Sequence, residues 1–270
     1  MRIKTQSIDL YVEHGGLENG PPLFFIRGSG GDLRNKPNQF DSPLAKHFYL
    51  TSYDQRGLGQ SAVPAGDYSM ADYADDAAYL LDALEIDQIP VMGVSFGGMV
   101  GQEFVLRHPD RVTALVLACT SAGGRGGASY PLHDLHHLDA RERAQAHLKV
   151  ADLRHTDEWI SANPDKWEKR IELSMAGRSA AKTSGEDGAW KQLLARKDHD
   201  TFDRLHQIKV PTLLAGGSYD GIAPKANMQL IQEQIKGAEL NFFEGGHMFL
   251  IQDKNAYPAI IAWIEAVLNA

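Results

Sequence analysis

The stretch Gly93-Val94-Ser95-Phe96-Gly97-Gly98 reads G-x-S-x-G followed by a further glycine. Ahead of it lies Ile89-Pro90-Val91-Met92, short and apolar as a buried strand should be. Behind it lies Met99-Val100-Gly101-Gln102-Glu103-Phe104-Val105-Leu106-Arg107, which reads as a helix stopped by Pro109. A serine on a sharp strand-to-helix turn projects its hydroxyl away from the sheet. Flanking glycines are needed because side chains there would collide with neighbouring backbone. The first N–H of such a helix points into the space where negative charge develops during acyl transfer. The stretch therefore reads as a nucleophile elbow with Ser95 as the nucleophile.

Strand and helix patterns alternate on both sides of the elbow. Ile8-Asp9-Leu10-Tyr11-Val12 has period two, as a half-exposed strand does, and Leu23-Phe24-Phe25-Ile26 is a continuous apolar run fit for burial on both faces. A further strand is expected at 47–53, an amphipathic helix at 70–84 and a strand at 113–119. After Ser121 the pattern breaks. Gly123-Gly124-Arg125-Gly126-Gly127 reads as a flexible joint, and 130–206 contains no strand-like run. Residues 139–153 and 164–175 read as helices. Strand-helix alternation resumes at 210–216 and continues through a helix at 227–235, a strand at 239–243 and a helix at 254–268. The expected architecture is α/β: a mostly parallel, doubly wound sheet formed by 1–123 and 207–270, with 124–206 as an all-helical cap insert.

A serine hydroxyl is a poor nucleophile at neutral pH and needs a base, which needs an orienting acid. On a sheet of this kind the chain order is Ser, then Asp or Glu, then His. Asp220 follows the resumed strand, in Gly216-Gly217-Ser218-Tyr219-Asp220-Gly221, and His247 follows the last strand, in Glu244-Gly245-Gly246-His247. Each lies past the carboxyl end of its strand, where an open parallel sheet collects its active-site groups. Of the 11 histidines, His247 alone follows a strand and a glycine pair. An acid after the strand that follows the elbow is ruled out, because Thr120-Ser121-Ala122-Gly123 carries no carboxylate. That favours Asp220 over Asp203. Asp54, in the turn after an earlier strand, reads as a structural lock together with Arg56. His133 and His137 are four apart but lack an acidic partner pattern, so no metal site is expected.

Composition bounds the partners. The chain has 270 residues, 35 acidic and 27 basic, for a formal net charge of −8, which argues against nucleic acid or an anionic membrane as partner. The single cysteine, Cys119, sits in an apolar run and reads as a buried thiol. Residues 1–10 show no apolar core of a signal peptide, and no run approaches the ~18 apolar residues of a membrane span. A cytoplasmic protein with a small-molecule substrate is expected.

Taken together, the elbow, the turn Tyr53-Asp54-Gln55-Arg56-Gly57, the strand with Asp220 and the Gly-Gly-His at 245–247 resemble the cap-bearing branch of the α/β-hydrolase superfamily. The turn at 53–57 is similar to that of proline iminopeptidases, enol-lactone hydrolases and cofactor-free perhydrolases. The resemblance leaves the insert unmatched. It implies an oxyanion hole made of the Ser29 and Phe96 backbone N–H groups, and no cofactor or metal. Where the family usually has His-Gly, this chain has Arg27-Gly28-Ser29-Gly30-Gly31. Arg27 reads either as a brace paired with Asp32 or Asp54, which nearby acids favour, or as an anchor for a substrate carboxylate. Trp159, Trp167 and Trp190 are candidate pocket walls and equally candidate cap packing. The expected activity is hydrolysis of a carboxylic ester or lactone of a small, fairly apolar substrate through an acyl-enzyme. Amide cleavage, carbon–carbon bond hydrolysis and peracid formation use similar parts, and a ligand receptor on the same scaffold is the reading from another class.

Overall fold

The computed structural model describes residues 1–181 and 186–270, with side chains outside 177–186. In chain order the strands are β1 (Arg2–Lys4), β2 (Asp9–Gly16), β3 (Pro22–Ile26), β4 (Tyr49–Tyr53), β5 (Ile89–Val94), β6 (Val112–Ala118), β7 (Thr212–Gly217) and β8 (Glu239–Phe243). They form one sheet in the order β1-β2-β4-β3-β5-β6-β7-β8. β1 and β2 run antiparallel to their neighbours, and the remaining pairs are parallel. Helices α1 (Met70–Ala83) and α2 (Phe96–Arg107) flank β5 in the chain. The helices α3 (Ala140–Ala151), α4 (Asp157–Ala162), α5 (Pro164–Ala181) and α6 (Glu186–Lys197) lie between β6 and β7. The chain closes with α7 (Lys225–Gln234), α8 (Phe249–Gln252) and α9 (Ala256–Leu268).

The apolar run in β3 explains the double winding. Side chains alternate across a strand, and here both faces are covered. Phe24 and Ile26 join a core with Tyr73, Leu80, Phe104 and Met228, on the side of α1, α2 and α7. Leu23 and Phe25 join another core with Phe249, Ile260 and Ile264, on the side of α8 and α9. β6 divides the same way, Leu115 and Leu117 to the first core and Val116 and Ala118 to the second. The central strands therefore read as continuous apolar segments rather than alternating ones. Helix α1 starts where Ser69 accepts the Asp72 N–H while the Asp72 carboxylate accepts the Ser69 N–H, a capping box. Asp76 on that helix is buried and takes the Arg56 guanidinium through two bonds of 2.7 and 2.8 Å. Arg56 thus ties the turn after β4 to α1, and does not pair with Asp54.

The segment between β6 and β7 has a small core of its own, in which Ala144, Trp167 and Ile171 are buried and Trp159 packs against them. Residues 182–185 of the expected insert lie outside the described residues. The inserted segment touches the loops at the carboxyl-terminal edge of the sheet. Leu153 N–H donates to Tyr219 O, Gly221 N–H to Val150 O, and Tyr130 N–H to Ile222 O. The glycine run differs from the expected flexible joint. Gly123, Gly124 and Gly127 all have positive φ, Gly123 bridges to Asp200, and Gly126 is packed on Phe202. The glycines are there for their backbone angles and close contacts, and the segment is tied down. Among the elements that the sequence patterns do not set out, β1 and α8 hold 3 and 4 residues, too few to show a period. Among the described residues no helix is long and apolar enough to cross a membrane.

Candidate active site

Ser95 sits between β5 and α2 with φ 56° and ψ −115°, a region a serine enters only when its surroundings impose it. Three glycines impose it. A Cβ on Gly93 would lie 2.2 Å from Gly97 O, one on Gly97 2.1 Å from Ile26 O, and one on Gly98 2.7 Å from Thr120 Cβ. The turn is pinned further by Ser95 N–H donating to Ala118 O at 2.8 Å and Thr120 Oγ1 donating to Ser95 O at 2.9 Å.

The structure brings Ser95, His247 and Asp220 into one hydrogen-bonded line. His247 Nε2 is 2.8 Å from Ser95 Oγ, and His247 Nδ1 is 2.7 Å from Asp220 Oδ2. Asp220 is 2% exposed, and its other oxygen accepts the N–H groups of Ile222 and Ala223 at 2.8 and 2.9 Å. A carboxylate held by backbone donors fixes the orientation of its own partner. With Nδ1–H donated to Asp220, Nε2 is left to accept the Ser95 hydroxyl proton. The His247 loop is held from both sides: Gly246 N–H donates to Gln252 Oε1 at 2.7 Å, and His247 N–H to Ala151 O at 2.6 Å, on the last residue of α3. Cys119 offers its sulfur within 4.8 Å of ligand atoms of Asp220 and His247. Burial and the Asp220 charge push its thiol up, so it stays protonated and lacks the thiolate that a cysteine nucleophile needs.

Gly28 lies against the serine; a Cβ there would be 3.5 Å from Ser95 Cβ. Among the described residues neither Ser29 N–H nor Phe96 N–H has a hydrogen-bond partner, as befits a loop donor and the first N–H of a helix. The neighbouring Gly30 N–H is taken by Gln192 Oε1 at 2.8 Å, so α6 reaches down to this loop. Asp54 serves the same loop, accepting Leu33 N–H at 2.7 Å and Gln60 N–H at 2.8 Å. Burial pushes its carboxyl up, against the pull of those two donors.

Arg27 departs from both pairings expected of it. Its guanidinium donates to Gln39 Oε1 at 3.1 Å, while Asp32 pairs with Arg34 at 2.7 Å and Asp54 is engaged by backbone. Asp54 and Asp32 act on Arg27 only through space, and burial lowers the arginine's basicity. The Gln39 partner comes from a short 3-10 turn (Gln39–Asp41) that no periodicity announces. Asp203, the rival acid, is on the surface beside Arg125. Trp159 and Trp167 both meet the His155 ring, one tilted and the other edge-on, and the Trp190 ring lies 4.4 Å from the His136 ring; all three pack within the inserted segment. Gln192 and Arg196, both buried on α6, went unread. Their one signal is the i, i+4 spacing of two polar groups on a helix face.

A family model for the alpha/beta hydrolase fold matches residues 21–254. The chain is 30% identical over 263 residues to a poly(3-hydroxyalkanoate) depolymerase of Ectopseudomonas oleovorans, covering 97% of this chain and 89% of the relative. It is 26% identical over 268 residues to 3-oxoadipate enol-lactonase 2 of Acinetobacter baylyi, covering 99% and 96%. The crystal structure of the enol-lactonase from Burkholderia xenovorans LB400 superposes with a TM-score of 0.76 at 22% identity, over 100% of both chains. With a doubly wound sheet, a serine elbow and a family match over most of its length, the chain belongs to the α/β-hydrolase family and is a hydrolase.

Proposed function

We propose that the protein cleaves a carboxylic ester or lactone of a small substrate through an acyl-enzyme on Ser95. The observation that carries this reading is the unbroken line Ser95 Oγ, His247 Nε2, His247 Nδ1, Asp220 Oδ2, with links of 2.8 and 2.7 Å. Ser95 Oγ attacks the carbonyl carbon as its proton passes to His247 Nε2. The carbonyl π electrons move to oxygen, where the N–H groups of Ser29 and Phe96 receive the negative charge. The carbon–oxygen bond to the leaving group then breaks, and the imidazolium returns its proton to the departing alkoxide. In a lactone that alkoxide stays on the same molecule. Water attacks the acyl-enzyme with His247 again as base, and Ser95 is released. Asp220 holds the imidazole tautomer and stabilises the imidazolium.

The residues 124–206 are read as the cap over this site, from its contacts with the loops after β3, β7 and β8. The names of the relatives, a depolymerase and an enol-lactonase, agree with an ester or lactone substrate. The test is a screen of p-nitrophenyl esters of graded length beside lactones and prolyl amides, with Ser95→Ala as control. Turnover of esters or lactones that vanishes in the variant supports the reading. Turnover of prolyl amides alone, or stoichiometric ligand modification without turnover, rejects it.

A further inference from the structure

The end of α3 lies across both loops that carry the acid and the base. Gly221 N–H donates to Val150 O at 3.0 Å and Leu153 N–H to Tyr219 O at 2.9 Å, on either side of Asp220. Between them Ala151 O accepts the His247 N–H at 2.6 Å. Glycine on each loop makes room for this strip. A Cβ on Gly221 would lie 2.6 Å from Val150 O, and one on Gly246 2.1 Å from Ala151 O.

Asp152, in the middle of the strip, is 3% exposed. Its Oδ1 accepts the N–H and Nε–H of Arg154 at 3.1 and 2.8 Å. Its Oδ2 accepts Arg154 Nη2 at 2.7 Å and Gln252 Nε2 at 3.0 Å. Burial pushes this carboxyl up, but the Arg154 hydrogen bonds and charge outweigh burial and hold it below the usual carboxylate range. It is ionised at neutral pH and can only accept. Gln252, the last residue of α8, therefore turns its NH₂ end to Asp152. That leaves Oε1 for the buried Gly246 N–H, which donates to it at 2.7 Å. A carboxamide can present either end to a neighbour; here the carboxylate sets which end meets the His247 loop. Arg154 also reaches Glu244 at 2.9 Å, on the same loop. Among the described residues neither Asp152 nor Gln252 bonds to the side chain of Ser95, His247 or Asp220, so their action on the site runs through the backbone of residue 246.

We propose that Asp152 and Gln252 are positioning residues for the base: the relay Asp152 Oδ2, Gln252 amide, Gly246 N–H fixes the backbone from which the His247 ring spans Ser95 and Asp220. The proposal rests on the reading of Ser95 as the acylated nucleophile with His247 as its base. It gives a residue of the inserted segment a part in the chemistry itself.

The test separates two tasks of His247. As base it takes the Ser95 proton with every ester. As acid it must protonate a departing ethoxide, whereas p-nitrophenolate leaves unaided. Acylation is read as kcat/KM on the ethyl and p-nitrophenyl esters of one acid. Gln252→Met should lose about 10- to 100-fold on the ethyl ester and less than about 10-fold on the p-nitrophenyl ester, with KM little changed. Gln252→Glu should lose as much, because a carboxylate there faces Asp152. Exchanging the pair, Asp152→Asn with Gln252→Glu, restores one donor and one acceptor and should recover most of the loss. Unchanged kinetics in Gln252→Met, an equal loss on both esters, or an exchanged pair no better than Gln252→Glu overturns the relay. Gln252 is exposed, so Gln252→Met should fold even where a change at buried Asp152 does not.

A second readout needs no substrate. Nitrogen-15 spectra of histidine-labelled Ser95→Ala protein report which ring nitrogen of His247 carries the proton, the signal being assigned by its loss in His247→Gln. The proton should sit on Nδ1, and adding Gln252→Met should shift that signal or mix the tautomers. An unchanged signal overturns the relay. A changed signal with no ester or lactone turned over by wild type upholds the relay and rejects the acyl-enzyme reading instead.

Discussion

Gln192 Oε1 accepts the Gly30 N–H at 2.8 Å, a hydrogen bond that joins residues 162 apart in sequence. It links α6 to the loop that presents Ser29. Gln192 is fully buried, at 0% exposure. Cutting this bond should let the proposed oxyanion donor drift while the serine stays in place. Gln192→Met is expected to lower kcat on all esters by about 10- to 100-fold, the cost of sub-ångström to ångström misplacement of a catalytic group, with KM little changed. Steady-state kinetics on neutral esters reads this directly. An unchanged kcat in a folded variant would show that the loop keeps its shape without α6.

The acid is tested by a single-atom change. Asp220→Asn should leave the backbone bonds to Ile222 and Ala223 largely in place but favour the wrong imidazole tautomer, dropping kcat by roughly 10⁴-fold at neutral pH. Asp203→Asn, on an exposed side chain, should have little effect. If Asp203→Asn proved the more damaging in a stably folded protein, Asp220 would not be the acid.

His199 gives the protein an acid-sensitive point. It is 5% exposed, and burial pushes its imidazole from 6.5 to about 3, against a weaker upward pull from the Ser121 backbone. Between those two values the unfolded chain binds the proton and the folded chain does not. Stability therefore rises with pH through that window, and is lost as pH falls from 6.5 toward 3. Replacing the group with a non-titrating one, as in His199→Gln, should flatten the decline by about 1 kcal/mol per pH unit. Urea denaturation of both proteins at neutral pH and at about pH 5 measures it. Parallel pH dependences would mean that His199 is protonated in the folded state.

Legibility followed the physics of each feature. The central strands are covered on both faces, so Leu23 to Ile26 and the run through Val116 stand out as apolar wherever they are read. The elbow is legible because its backbone forbids side chains at three glycine positions. Asp220 and His247 follow from it because the chemistry needs both and chain order leaves few places for them. What escaped notice is of another kind. Gln192 and Arg196 belong to a helix whose partners, Gly30 and Tyr130, lie far away in sequence, and nothing local marks either residue as buried. Proximity along the chain points Arg27 to acidic partners, but Asp54 spends its oxygens on backbone N–H groups and Asp32 spends its own on Arg34. A half-buried cation takes the acceptor that folding brings to it, here Gln39. The glycine run at 123–127 shows the same limit, since glycine composition does not separate a mobile joint from a backbone held at positive φ.

The central claim is that Ser95 alone is the activated nucleophile. A fluorophosphonate reacts with a serine that has a base at its hydroxyl and donors around the resulting oxyanion. Intact-protein mass spectrometry with peptide mapping after such treatment should find one adduct per chain, on the peptide containing Ser95, with none in Ser95→Ala. An adduct on another residue, or an unmodified wild-type protein, would contradict the account.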